Sequence, residues 1–183
     1  PPVITLNSPQ NNEIIAVNVV TFNITLNENG SSSRYTLNNG LNNVTMSTLD
    51  NRNYNYTNAS IVDGQYTAKF YANDTNGNIN NTVTSTFTID SIRPLILITK
   101  PENISYNLIQ SQLNYSVSDV NLQACWYSIN NGANISITCG QNVSGINANE
   151  GSNTWRVYAN DTSGNLGSAI SNYNVNLPAS MIC

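Results

Sequence analysis

Histidine is absent from this chain of 183 residues, and lysine occurs only at Lys69 and Lys100. Without histidine there is no imidazole general base, no Ser-His-Asp or Cys-His catalytic arrangement, and no imidazole ligand for a metal. Charged residues make up 9% of the chain and sum to a net charge of -4. That balance leaves no basic surface for nucleic acid or anionic lipid. Long apolar runs are missing too: none is longer than the four residues of Leu95 to Ile98, far below the roughly 20 residues a membrane helix needs, so no span is expected in this segment. No window carries the 3.6-residue period of an amphipathic helix. Polarity comes from neutral groups, because Asn supplies about a fifth of the chain and Ser with Thr about another fifth.

What is present is written twice. Tyr71-Ala-Asn-Asp-Thr-Asn-Gly-Asn78 returns as Tyr158-Ala-Asn-Asp-Thr-Ser-Gly-Asn165, and Arg34-Tyr-Thr-Leu-Asn-Asn-Gly40 returns as Trp126-Tyr-Ser-Ile-Asn-Asn-Gly132. The offset drifts slightly along the chain, which puts the length changes in loops and keeps the elements in register. Within each copy the pattern has period two and is rich in β-branched and aromatic residues, as in Val19 to Leu26, Gln65 to Ala72 and Thr82 to Ile89. Turn signals such as Asn39-Gly40, Asp63-Gly64, Asn76-Gly77 and Asn131-Gly132 separate these runs. The pattern predicts an all-β chain: two tandem immunoglobulin-like β-sandwiches of about seven strands each, over 1–92 and 93–183. Strands are expected near 3–7, 17–27, 33–38, 43–47, 54–61, 65–73 and 82–90, with the same order in the second copy.

The stretch Asp63 to Asn78, a last strand ending in Ile89-Asp90 and a proline-led restart resemble the immunoglobulin-like or fibronectin-III-like repeats of archaeal and bacterial surface proteins. The Asn richness and the stretch Cys125 to Cys139 make the resemblance more archaeal than bacterial. It implies extracellular placement and a role as spacer, adhesin, lattice subunit or filament subunit, functions that this fold shares. Tyr66 stands where such sandwiches place a corner tyrosine, whereas the second copy has Asn153, so the corner hydrogen bond is expected in copy one only.

Cysteine placement follows from strand arithmetic. If Ile129 lies opposite Ile135 and Tyr127 opposite Ile137, then Cys125 faces Cys139 and a cross-strand disulfide forms in module 2. Such a bond belongs to an oxidising compartment. Copy one has Ser33 and Thr48 at those places, and Cys183 is left over for an intermolecular bond or a plain terminal thiol.

Three further sets of residues are candidates. Twelve Asn-x-Ser/Thr sequons, at Asn23, Asn29, Asn43, Asn55, Asn58, Asn73, Asn80, Asn103, Asn114, Asn134, Asn142 and Asn160, predict N-glycans. Asn23/Asn114, Asn43/Asn134 and Asn73/Asn160 recur at matching positions. Strand parity sends Arg34, Lys69, Tyr71, Trp126, Arg156 and Tyr158 outward on neighbouring strands, which reads as an interaction face for a second copy or a neighbouring module. No cofactor is expected. Calcium is the alternative reading of Asp74, Asp90, Asp119 and Asp161, although no Asp-x-Asp-x-Asp spacing supports it and Asp74 and Asp161 sit in turn sequences. The expectation is a non-enzymatic extracellular structural module of an archaeal surface or appendage protein, as filament, envelope lattice or stalk subunit. The alternatives are an adhesin that binds glycan or a partner cell and, after it, an accessory domain of a secreted hydrolase.

Overall fold

The computed structural model describes residues 1–178, so Cys183 lies outside the described residues. The chain divides into two compact units, Pro1–Ser91 and Ile92–Cys183. Unit 1 contains β1 (Ile4–Ser8), β2 (Ile14–Ile15), β3 (Val20–Leu26), β4 (Gly30–Thr36), β5 (Val44–Thr45), β6 (Ser47–Thr48), β7 (Asn53–Asn58), β8 (Gly64–Asp74), β9 (Ile79–Asn80) and β10 (Thr84–Ile89). One sheet has the order β1-β3-β7-β6, and the other has β2-β10-β8-β4-β5 with β9 on β8. Unit 2 contains β11 (Leu95–Lys100), β12 (Ser105–Tyr106), β13 (Gln112–Ser118), β14 (Leu122–Ile129), β15 (Ile135–Ile137), β16 (Val143–Ser144), β17 (Gly151–Asp161) and β18 (Leu166–Val175). Its sheets run β11-β13-β16 and β12-β18-β17-β14-β15.

Each core is the inward half of the alternating strands. In unit 1 the ring of Phe22 on β3 stacks on Tyr35 of β4 at 3.9 Å and meets Phe87 edge-on at 5.9 Å. Unit 2 fills the same volume from the other sheet. Leu113 replaces Phe22 and Trp155 replaces Ala68, and both Leu113 and Trp155 are fully buried. A large side chain has moved across the interface between the sheets, the kind of exchange that keeps total volume and so keeps packing density.

The opening strand of each unit is split between the two sheets. The first half pairs antiparallel with its neighbour, β1 with β3 and β11 with β13. The second half, β2 or β12, pairs parallel with the last strand. The crossover is pinned identically in both copies. Buried Ser85 donates to the carbonyl of Pro9 at 2.8 Å, and buried Ser171 donates to that of Pro101 at 2.6 Å. Two residues on, Oδ1 of Asn11 accepts the amide of Thr86, and Oδ1 of Asn103 accepts that of Asn172.

Two expectations about the second copy are corrected. It does not repeat every strand of the first, for β3 pairs with β7 along six residues, whereas β13 pairs with β16 along two and no counterpart of β6 is present among the described residues. The register of β14 with β15 also differs by two, with Tyr127 opposite Ile135 and Cys125 opposite Ile137. The reason is the turn. Asn130 and Asn131 both take positive φ, 51° and 60°, and Gly132 N donates to the carbonyl of Ile129, so the chain reverses sooner than a longer loop would allow. A slip of two preserves the face, and Cys139 still points into the sandwich.

Candidate functional site

The outward face of the larger sheet gathers the residues expected there. Arg34 lies opposite Tyr71, and Thr36 lies opposite Lys69. In unit 2 Trp126 lies opposite Tyr158, and Ser128 lies opposite Arg156. Their inward neighbours Tyr35, Ala68, Phe70, Tyr127, Trp155 and Val157 are buried. Trp126 is half-buried rather than fully exposed as its position suggested, because its ring stacks with Tyr158, centroids 5.8 Å apart and planes within 13°. In unit 1 the Lys69 ammonium sits 5.5 Å from the Tyr71 ring centroid, a cation over an aromatic face. The Arg156 guanidinium donates to Oδ1 of Asn131.

The carboxylates serve turns. Asp74 Oδ1 accepts the amides of Asn76 and Asn78 at 2.9 Å each, and Oδ2 accepts Nδ2 of Asn78 at 2.7 Å. Asp161 repeats the arrangement with the amides of Ser163 and Asn165 and with Nδ2 of Asn165. The Asn78 side-chain amide, seconded by the backbone amides, holds the Asp74 carboxyl below its ordinary range. Asp119 caps its own turn through the Asn121 amide, and the main chain of Asp90 donates to Ile15 at the end of β10. The calcium candidates are thus dispersed, and among the described residues no three His, Cys, Asp or Glu side chains gather as a metal site.

Cys125 and Cys139 form a disulfide in unit 2, with Cα atoms 5.1 Å apart. It fastens the segment that runs where unit 1 has its β6–β7 ladder. Tyr115 completes the fastening: its hydroxyl donates to the Thr138 carbonyl and accepts the Gly140 amide, while its own amide donates to Oδ1 of Asn142. In unit 1 the hydroxyl of Ser33 instead lies 3.5 Å from the Met46 sulfur.

Both corners are closed, by different chemistry. Tyr66 donates to the Val62 carbonyl at 2.8 Å, as expected. In unit 2 the buried Asn153 takes over: Oδ1 accepts from the Asn149 amide and from Nδ2 of Asn130, and Nδ2 donates to the carbonyls of Asn149 and Gly151. The sequence signal was present, since an Asn inside an otherwise apolar inward set must be hydrogen-bonded to be tolerated.

None of the twelve sequon asparagines is buried. Asn29, Asn43, Asn55, Asn103, Asn134 and Asn142 are exposed, and Asn23, Asn58, Asn73, Asn80, Asn114 and Asn160 are half-buried. Asn80 donates to the Pro2 carbonyl, so that amide is engaged in holding the chain's first residues. No helix in the described residues is long and apolar enough to cross a membrane.

No family model matches the chain, and no curated protein matches it in sequence. Solved structures do match in shape. Fibronectin(III)-like modules of CbhA from Clostridium thermocellum align at a TM-score of 0.51 and 16% identity, over 99% of this chain and 97% of that one. Extracellular domains 3–5 of Drosophila OTK align at a TM-score of 0.52 and 10% identity, over 95% of this chain and 62% of that one. At such identities the likeness is one of fold, and the fold is a tandem pair of fibronectin-III-like, immunoglobulin-like β-sandwiches.

Proposed function

We propose that this chain is a non-enzymatic extracellular structural module of an archaeal surface or appendage protein, N-glycosylated, whose work is to extend and to assemble. The observation that carries the reading is what the two copies share. The Asp74 and Asp161 turns, the Ser85 and Ser171 clamps and the Asn11 and Asn103 caps recur bond for bond, while core side chains are exchanged around them. Recurrence falls on the parts that hold a sandwich in shape. The disulfide fits an oxidising exterior, and a surface wetted by amides and hydroxyls fits acceptor sites for sugar.

The partner is a second copy or a neighbouring module, met through the outward face that carries Arg34, Lys69 and Tyr71 in unit 1 and Trp126, Arg156 and Tyr158 in unit 2. Aromatic and arginine side chains supply much of the energy at interfaces. Sedimentation velocity of the native chain tests this. Concentration-dependent assembly that is lost when Trp126 and Tyr158 are both replaced by Ser supports it. A chain that stays monomeric and binds a glycan array is an adhesin instead.

A further inference from the structure

Of the twelve sequons, Asn58, Asn73 and Asn160 have an aromatic residue two positions earlier, in Tyr56-Thr-Asn58-Ala-Ser60, Tyr71-Ala-Asn73-Asp-Thr75 and Tyr158-Ala-Asn160-Asp-Thr162. Positions i and i+2 of a strand share a face and lie about 7 Å apart. In β8 and β17 that face is the outward one, since Ala72 and Asp74, and Ala159 and Asp161, are the buried neighbours. The first sequon differs, because Tyr56 lies opposite the buried Phe22 and packs at 5.7 Å on Tyr35.

The surroundings of Asn73 and Asn160 match. On one flank stands a small residue, Ser32 opposite Asn73 and Ala124 opposite Asn160. On the other stands an exposed aliphatic one, Ile79 at 54% and Leu166 at 52% exposure. Two residues back lies the ring, Tyr71 in unit 1, with the Lys69 ammonium over it at 5.5 Å, and Tyr158 stacked with Trp126 in unit 2. Each copy therefore holds an acceptor amide at the end of an aromatic floor, with an apolar rim that is about half exposed among the described residues. The amide of Asn160 donates to Oε1 of Gln123 at 2.7 Å, and Gln123 is exposed and free to turn into solvent.

We propose that Asn73 and Asn160 carry N-linked glycans whose first sugars lie back along the strand, on Tyr71 and on the Tyr158–Trp126 pair. This rests on the reading of the chain as an N-glycosylated extracellular module, and it adds that the chain's own sugar covers Tyr71 and the Tyr158–Trp126 pair, so that a second copy meets this face through that sugar together with Arg34, Lys69 and Arg156. In the transfer, Nδ2 of Asn bonds to the anomeric carbon of the sugar. The bond from that carbon to the phosphate of a glycosyl phosphate donor breaks, its electron pair leaves on the phosphate, and Nδ2 gives up one proton. The sugar's C–H face then covers the ring and the Ile79 or Leu166 rim, removing apolar surface from water.

The test compares native protein with Thr162→Ala, both made in the cell that glycosylates the parent. Thr162 is exposed, and its loss removes the sequon while leaving Asn160, Tyr158 and Trp126 in place. Trp155 is fully buried, so acrylamide quenching of tryptophan fluorescence reads Trp126. Glycopeptide mapping should find sugar at Asn73 and Asn160, and Thr162→Ala should raise the quenching constant about two-fold as the covered ring opens to water. Occupied Asn160 with unchanged quenching would overturn the proposal, because the sugar would then point away. Bare Asn73 and Asn160 beside occupied sequons elsewhere would overturn it and leave the glycosylated module standing. Bare sequons throughout would overturn both.

Discussion

Asn153 is a buried polar side chain in the core of unit 2. Its amide makes four hydrogen bonds while 2% exposed, and truncation to Ala strands the groups it serves. Asn153→Ala should cost about 2 kcal/mol or more, read as a lower denaturant midpoint for unit 2. Tyr66→Phe, which removes one corner bond in unit 1, should cost about 1 kcal/mol. Equal and negligible effects would mean that neither corner carries weight. Asp50 offers a pH test at the same scale. The amides of Asn53 and Arg52 and the Asn53 side chain donate to it, pulling its carboxyl from 3.8 down to about 2. A folded value below the unfolded one gives stability that is present above about pH 4 and lost as pH falls towards 2. An NMR titration of the Asp50 carboxyl with a midpoint near 4 would contradict this.

Among the elements, the disulfide and the missing ladder belong together. Unit 1 holds the segment after β5 with the β6–β7 pairing, whereas unit 2 holds it with Cys125–Cys139 and Tyr115. For a bond between residues 14 apart, reduction should destabilise unit 2 by about 3 kcal/mol. Unit 1 should melt as before, which differential calorimetry with and without reductant would show. The long strands were legible because alternation over six or more residues has one interpretation. Two-residue pieces such as Ile14–Ile15 and Ser105–Tyr106 carry no period, and they are set by distant side chains, Asn11 on Thr86 and Ser171 on Pro101. The shift of β14 against β15 escaped for a similar reason: register depends on which Asn takes positive φ, and Asn130-Asn131-Gly132 allows more than one choice. Strand parity could be read for Arg34, Lys69, Tyr71, Trp126, Arg156 and Tyr158 because the burial of their neighbours Tyr35, Phe70, Tyr127, Trp155 and Val157 follows the same alternation. Ring stacking between Trp126 and Tyr158 was not readable, because it needs the pairing of β14 with β17.

For the whole molecule, the proposal is of two copies of one sandwich forming a subunit that assembles at the cell exterior. Recurrence of scaffold bonds across copies, an outward aromatic and cationic face on each, and sequon asparagines beside that face support it. Heterologous contacts between such subunits propagate unless a rotation closes them, so assembly should give filaments or a lattice. Negative-stain electron microscopy of the protein from its native source is the decisive measurement. Ordered filaments or sheets are expected, whereas a field of single, unassociated particles at every concentration would mean that the chain is no assembly subunit.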